Sequence, residues 1–281
     1  MKERSVLSKV NGFKTKDGAG VSLVRVLSNQ TVRQFDPLLM LDSFDTDNYD
    51  DYKAGFPTHP HRGIETITYL KKGRVTHKDS LGNVDTINDG EVQWMSAGSG
   101  IMHSETFPES NEVLGVQLWL NLPKKDKMSK PNYKAIKNDQ IIEIDEKNYK
   151  LRLLAGIYKD KKSYISNYLP FNFYDIEIKE GKVFELEVKS DKAISLFTLK
   201  GEIKIGNEII KEKTALNLSQ GDLVKFKSLK DSQVLFMESE RLDEKIAWGG
   251  PIVMNSREEL NIAFMELENG SFIKDEIEMN K

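Results

Sequence analysis

Residues 59–105 read HPHRGIETITYLKKGRVTHKDSLGNVDTINDGEVQWMSAGSGIMHSE, and this stretch decides how the rest of the chain is interpreted. Short segments rich in β-branched and aromatic residues, such as 65–70 and 92–95, alternate with glycine and Asn or Asp turn residues. Short segments with turn signals between them are typical of antiparallel strands in a sandwich or barrel. The stretch therefore predicts β-hairpins with histidines near both of its ends.

The same pattern extends in both directions and predicts an all-β protein. Further strands are expected at 22–26, 113–120, 173–178, 183–188, 193–199 and 234–237. A weak internal repeat relates 69–73 (YLKKG) to 197–201 (FTLKG), and a polar hairpin and a second glycine follow each copy. The repeat predicts two barrels of similar fold. All four histidines fall in the first copy, so the chemistry is expected there.

These features divide the chain into a first barrel over residues 1–125, an exposed linker over 126–137 and a second barrel over 138–281. The linker is expected because 123–131 (PKKDKMSKP) is rich in lysine and bracketed by prolines. The second barrel should end in a helix packed against it. Ser256 and Glu259 fit a capping box at its start, and Gly270 is a suitable stop. The apolar stripe of this helix comprises Leu260, Ala263, Phe264 and Leu267.

Composition excludes several classes of protein. The chain has no cysteine, so disulfides and thiolate metal sites are excluded and any transition metal must use His, Asp or Glu. The net charge is −3 with acidic and basic residues interspersed, which argues against direct nucleic-acid binding. We find no signal peptide and no apolar run of membrane-spanning length, so a cytoplasmic protein with no membrane association is expected.

Two short motifs supply candidate metal ligands. His59 and His61 are at i and i+2, which in an extended chain places them on one face about 6.6 Å apart. His103 and Glu105 repeat this spacing after a glycine-rich turn. Two such strands side by side would bring four ligands to one point, with Glu65 as an alternative fourth ligand. The sequence therefore predicts a site for one divalent transition-metal ion.

The ligand set also predicts reactivity. Three imidazoles and one carboxylate fill four positions of an octahedral ion and leave two open for substrate, water or dioxygen. A mixed N/O set without sulfur suits Fe(II), and also Mn, Co, Ni, Cu or Zn.

Other residues of the stretch have two interpretations each. Arg62 could orient Glu105 or an anionic substrate, or form a surface salt bridge. His77, near a hairpin tip, is expected to have a structural, hydrogen-bonded role. The candidates for a pocket wall, for which core packing is the alternative, are Phe56, Glu65, Trp94, Met95, Gln117 and Trp119.

Residues 59–105 closely resemble the N-terminal cupin core of pirins. Supporting segments are 115–119 (GVQLW), 152–156 (RLLAG) and 250–257 (GPIVMNSR), so the resemblance covers nearly the whole chain. It implies a bicupin, that is, two double-stranded β-helix (jelly-roll) barrels with metal only in the first. It also implies non-haem iron held by His59, His61, His103 and Glu105.

The resemblance implies two functions. The first is an Fe(II)-dependent dioxygenase of the quercetin 2,3-dioxygenase type, which acts on a flavonol or similar aromatic substrate with dioxygen. Glu105, as a ligand or a displaced base, would take the substrate hydroxyl proton. The alternative is a non-enzymatic iron or redox sensor that binds a regulatory protein partner. A monomer is expected in either case.

Overall fold

A computed structural model describes residues 1–275 and confirms the all-β prediction, because strands dominate and the helices are few and short. The strands up to residue 136 are β1 (Val6–Asn11), β2 (Phe13–Asp17), β3 (Val21–Leu27), β4 (Leu38–Thr46), β5 (Phe56–His61), β6 (Ile64–Lys72), β7 (Val75–Asp79), β8 (Val84–Ile87), β9 (Val92–Ser96), β10 (Ile101–Thr106), β11 (Val113–Asn121) and β12 (Asn132–Ile136). The later strands are β13 (Ile142–Asp145), β14 (Tyr149–Ala155), β15 (Ile157–Tyr158), β16 (Lys161–Lys162), β17 (Phe171–Ile178), β18 (Val183–Glu187), β19 (Ala193–Lys200), β20 (Glu202–Ile205), β21 (Glu208–Lys211), β22 (Thr214–Leu218), β23 (Leu223–Ser228), β24 (Ser232–Ser239), β25 (Ala247–Gly249) and β26 (Ile252–Met254). The α-helices are α1 (Val32–Phe35) and α2 (Arg257–Glu268), and 3-10 turns occur at Tyr49–Asp51, Lys124–Asp126 and Asn138–Gln140. Within residues 1–275, none of the helices has the length and apolar character needed to cross a bilayer.

The strands form two compact units, each built from separate parts of the chain. The histidine unit comprises Lys14–Leu23, Leu38–Ile136 and Asp243–Lys281. The companion unit comprises Met1–Phe13, Val24–Pro37 and Lys137–Leu242.

The companion unit has an apolar core between two sheets. Its larger sheet has the order β1-β22-β19-β24-β17-β14-β13, and its smaller sheet has the order β18-β23-β20-β21. Side chains such as Phe184, Leu196 and Phe236 are fully buried between them. An interior filled in this way has the packing of a structural core.

The histidine unit has a larger sheet of order β12-β9-β6-β11-β4-β3-β2 and a smaller one of order β5-β10-β7-β8. An aromatic cluster of Phe44, Tyr52 and Phe107 fills part of its interior. The strands β6 and β11, which lie near the middle of the larger sheet, carry polar residues as well as apolar ones. A polar region therefore lies beside the apolar core, and the site described below occupies it.

The C-terminal segment packs within the histidine unit. The hairpin β25–β26 and α2 form a small apolar cluster that includes Ile252, Met254 and Ala263. The capping box is confirmed: Ser256 accepts a hydrogen bond from the Glu259 backbone, and the Glu259 side chain accepts one from the Ser256 backbone. The predicted packing of this helix on the second barrel is wrong, since α2 contacts β25 and β26 in the histidine unit.

The predicted linker and barrel boundaries also differ from the structure. Residues 132–136 form the edge strand β12, which pairs with β9. Lys127 is buried, and its ammonium donates to Gly63 O (2.8 Å), Asn121 Oδ1 (2.6 Å) and Val253 O (2.9 Å). Lysine normally indicates exposure, but three oxygen acceptors satisfy the ammonium inside the protein, where burial lowers the pKa of Lys127 to about 7. Strand β1, expected in the first barrel, instead pairs with β22 of the companion unit.

Gly63 provides a test of how tightly the C-terminal hairpin is packed. It has a φ of +75°, and a Cβ there would lie 2.1 Å from Val253 O. Gly270, just beyond α2, has almost the same φ of +76° with no atom within 4 Å of the Cβ position. Gly270→Ala should therefore cost only the left-handed backbone strain, about 1 kcal/mol of unfolding free energy. Gly63→Ala should cost about 2 kcal/mol more because the hairpin must move. Urea denaturation of both variants measures the difference, and equal losses would contradict this account of the packing.

Candidate metal centre

Three histidines converge because of the register between β5 and β10. The strands are antiparallel, and His103 lies directly opposite His59. His61 is two residues further along β5 and shares the face of His59, as the i, i+2 spacing predicts. Candidate ligand atoms of the three residues all lie within 4.8 Å of one another, so the triad could hold a metal ion.

The Nε2 atoms of the triad point towards one another. The Nε2 of His59 lies 3.0 Å from that of His61 and 3.0 Å from that of His103. The opposite nitrogens of His59 and His61 face backbone carbonyls: Nδ1 of His59 is 2.8 Å from Pro57 O, and Nδ1 of His61 is 2.9 Å from Pro251 O. A carbonyl can only accept, so both rings carry their proton on Nδ1 and leave the Nε2 lone pair free. Clustered lone pairs repel one another unless a cation lies between them.

The spacing of these nitrogens fits a transition-metal ion. Ligand nitrogens about 2.1 Å from an ion lie about 3.0 Å apart when they subtend a right angle, and about 3.4 Å apart at a tetrahedral angle. Both 3.0 Å separations would fit an ion bound between the nitrogens at right angles. An octahedral ion has such angles, and three imidazoles would leave it with open positions.

Glu105 lies beside the triad on β10, with one carboxylate oxygen held and the other free. Gln93 Nε2 donates to Oε1, Thr68 Oγ1 lies 3.5 Å from the same oxygen, and Gln117 also hydrogen-bonds to the carboxylate. Oε2 is buried without a hydrogen-bond partner. Burial raises the pKa of Glu105 above its usual value, despite the opposing effects of His77 and His59. An unpaired buried carboxylate oxygen is costly, and a cation would satisfy it.

The imidazoles are held ready to bind a cation. Burial, reinforced by the proximity of His59, lowers the pKa of His61 to about 3. Burial, with the neighbouring imidazoles, also lowers the pKa of His103 well below its ordinary value. A neutral imidazole is the form that binds metal, so these rings need not lose a proton first near neutral pH. His59 is only half-buried, and it leaves the triad accessible from outside.

The structure brings some predicted pocket residues to the site. The ring of Trp119 is 5.0 Å from that of His61, and its Nε1 is buried without a hydrogen-bond partner. Gln117 contacts Glu105, as noted above. Met95 shares the face of β9 that carries Gln93.

The remaining candidates lie elsewhere. Phe56 packs with Phe44 and Phe107 in the aromatic cluster. Strand alternation places Trp94 and Glu65 on the face of the sheet opposite to the one that contacts Glu105, so Glu65 does not replace Glu105 beside the triad.

Arg62 neither orients Glu105 nor forms a surface salt bridge. It is buried and donates to Ser99 O (2.6 Å) and Phe272 O (2.9 Å). It also pairs with Glu266 of α2 at 2.7 Å, and its guanidinium lies over the ring of Phe272. Arg62 therefore fixes the C-terminal segment beside the triad.

Sequence reasoning named Gln117 as a pocket candidate but missed Gln93 and Thr68, the other side chains that position the Glu105 carboxylate. Thr68 of β6 pairs with Gln93 of β9 on one side and with Gln117 of β11 on the other. These three neighbouring side chains together hold the Glu105 carboxylate. A signal was present for Gln93 and Gln117, because each is an amide in a strand of mostly apolar residues, VQWMS and VLGVQLWLN. The carbonyl of Pro251 gave no such signal, since any residue type supplies one.

Comparisons with known proteins agree with this architecture. Residues 20–120 match the family described as Pirin, and residues 173–273 match the Pirin C-terminal cupin domain. A pirin-like protein of Caulobacter vibrioides is 38 % identical over 277 residues, which cover 97 % of this chain and 100 % of that protein. Pirin of Rattus norvegicus is 31 % identical over 273 residues, with coverage of 94 % and 91 %. The crystal structure of a quercetin 2,3-dioxygenase from Acinetobacter baumannii has a TM-score of 0.89 at 31 % identity and covers 96 % of this chain and 98 % of that one.

The low pKa of His61 predicts acid sensitivity of the metal-free protein. The unfolded chain protonates this residue below about pH 6.5, whereas the folded protein does so only near pH 3. Stability is therefore complete above about pH 6.5 and falls below it, by about 1.4 kcal/mol per pH unit for this one group. Between about pH 6.5 and about pH 5, the wild type should lose about 2 kcal/mol more than His61→Gln. Urea denaturation with a chelator present measures this difference, and parallel pH profiles would show that His61 is not the group responsible.

Proposed function

The chain belongs to the pirin family, and from this we propose that it binds one divalent transition-metal ion and uses dioxygen to oxidise a small aromatic substrate. The proposed activity is of the quercetin 2,3-dioxygenase type, acting on a flavonol or a similar enolic aromatic. The proposed metal is Fe(II). Its proposed ligands are His59, His61, His103 and Glu105.

The observation that carries the proposal is the convergence of unprotonated nitrogens beside an unpaired carboxylate oxygen. Two Nε2···Nε2 separations of 3.0 Å are explained by one cation between the three imidazoles, which form the cluster able to hold an ion. Glu105 lies outside that cluster, and its buried, unpartnered Oε2 supports it as the proposed fourth ligand. A purely structural ion would be expected to have a closed ligand sphere, whereas three imidazoles and one carboxylate leave positions open. The similarity to the Acinetobacter baumannii enzyme, at 31 % identity over nearly the whole chain, favours oxygenase chemistry.

The residues of the site have distinct roles in such a reaction. A bound divalent ion would supply Lewis acidity and open positions for the substrate oxygen and dioxygen. Oε2 of Glu105, if displaced from the ion, is the atom that would accept the proton of the substrate hydroxyl. Burial raises the pKa of Glu105, which brings it closer to the value of an efficient general base at neutral pH.

The surrounding groups hold the base and the substrate in place. Gln93 and Thr68 fix Oε1 of Glu105, so Oε2 keeps one direction. Trp119 offers a ring face and an unpartnered Nε1–H beside His61, which suits an aromatic substrate with oxygen acceptors.

Turnover of quercetin tests this function directly. Protein purified without oxygen and loaded in turn with Fe(II), Mn, Co, Ni, Cu or Zn is supplied with quercetin, and flavonol absorbance and oxygen consumption are followed. At least one metal should support turnover with matched loss of both reactants. His103→Ala should abolish metal binding and turnover together because it removes one of three imidazoles.

The Glu105→Gln variant tests the base. The amide keeps the shape of the side chain but cannot take a proton, so kcat should fall about 10²–10⁴-fold. A matched control is Glu238→Gln in the companion unit, because the pKa of Glu238 is also raised by burial. That control should retain full turnover. A protein that binds metal but consumes no flavonol with any of the six ions would refute the oxygenase proposal.

A further inference from the structure

We propose that His77 and Asp79 are positioning residues that hold His103 in the tautomer able to bind metal. The inference rests on the proposed function only in treating His103 as a ligand. It assigns a role in metal affinity to residues that do not touch the ion.

His77, Asp79 and His103 form a continuous buried chain. Strand β7 lies beside β10, with His77 opposite Glu105 and Asp79 opposite His103. Nδ1 of His103 lies 3.3 Å from Nδ1 of His77, and Nε2 of His77 lies 2.8 Å from Oδ2 of Asp79. The side chains of His77 and Asp79 are 1 % and 0 % exposed. Tyr133 stacks on the His77 ring at 4.1 Å and 11°, which fixes the plane of that ring.

The hydrogen bonds that the Asp79 carboxylate accepts determine where the imidazole protons of His77 and His103 lie. Its Oδ1 accepts from the backbone amides of Leu81 (2.9 Å) and Asn83 (3.0 Å), and Oδ2 accepts from Asn83 Nδ2 (2.9 Å). A carboxylate in this setting faces only donors, so Nε2 of His77 donates to Oδ2. With a single proton, on Nε2, the ring of His77 presents a lone pair on Nδ1. His103 must donate its Nδ1–H to that lone pair, which leaves its Nε2 free towards His59.

This arrangement distinguishes His103 from the other two histidines. His59 and His61 direct Nδ1 at backbone carbonyls, which accept and never donate. His103 directs Nδ1 at another imidazole, which can accept or donate. The tautomer of His103 is therefore only as well defined as that of His77, and Asp79 defines the latter.

Asp79→Asn should reverse the donor and acceptor roles along the hydrogen bonds from Asp79 through His77 to His103 while keeping the shape of the side chain. The backbone amides of Leu81 and Asn83 retain the oxygen of the new side chain, so its NH₂ group turns towards His77. The side-chain amide of Asn83, which donates to Oδ2 in the wild type, turns to present its oxygen instead. Nε2 of His77 must then accept, Nδ1 becomes the donor, and Nδ1 of His103 becomes the acceptor. The proton of His103 moves to Nε2, the atom that faces His59 and would bind the ion.

Two measurements test this hydrogen-bond relay, which consists of Asp79, His77 and His103. In the metal-free protein, nitrogen NMR of the imidazole rings should show His103 protonated at Nδ1 in the wild type and at Nε2 in Asp79→Asn, with His59 and His61 unchanged. Zinc affinity, measured by competition with a chromogenic chelator, should fall about 10–100-fold in Asp79→Asn. His77→Phe, which keeps the ring that stacks on Tyr133, should weaken zinc binding similarly because Nδ1–H of His103 loses its acceptor.

The matched control is Thr76→Val. Thr76 lies on the same strand and bonds Thr86 of β8 at 2.8 Å, so the variant removes a hydrogen bond from the same hairpin without touching the relay. It should leave zinc affinity and the three tautomers unchanged. Wild-type His103 protonated at Nε2, or equal zinc affinity in Asp79→Asn and Thr76→Val, would overturn the relay. Neither the tautomer measurement nor the zinc affinity uses quercetin. Absence of oxygenase turnover would therefore refute the proposed function without deciding whether the relay exists.

Discussion

The histidine unit contains an unfavourable electrostatic contact, because the Nε2 lone pairs of its imidazoles face one another at 3.0 Å. Such an arrangement is unfavourable in the metal-free protein, because the buried nitrogens of His61 and His103 have given up water for neighbours that cannot donate to them. The surrounding structure must therefore hold it in place. Backbone carbonyls lock two rings, a histidine–aspartate pair contacts the third, and the tight pairing of β5 with β10 prevents the rings from separating.

Much of the site could be predicted from the sequence because it depends on local geometry. The spacing of His59 and His61 fixes their common face through strand alternation alone, and the same holds for His103 and Glu105. Antiparallel pairing of two such strands then brings the pairs together. The all-β architecture followed from equally local signals, namely short apolar segments and glycine turns.

The features that sequence reasoning missed depend on contacts between distant parts of the chain. Lys127 was expected in an exposed linker, and a surface salt bridge was one of two interpretations of Arg62, yet both side chains are buried. Their burial is tolerated because carbonyls and side chains of remote segments, including Val253 and Phe272, satisfy the charged groups. No composition rule identifies such acceptors, since every residue carries a carbonyl. The discontinuous units were missed for the same reason: local patterns do not show which strand a terminal segment will join.

The carbonyl of Pro251 has a consequence for how the protein is made. It fixes the ring of His61, although 190 positions separate the two residues in sequence. On the ribosome, the histidines emerge long before this acceptor, and the whole of 137–242 is synthesised in between. A nascent chain can thus form β5 and β10 early while one imidazole still lacks its anchor. The order of translation therefore delays the anchoring of His61 until Pro251 has been synthesised and its segment has folded back.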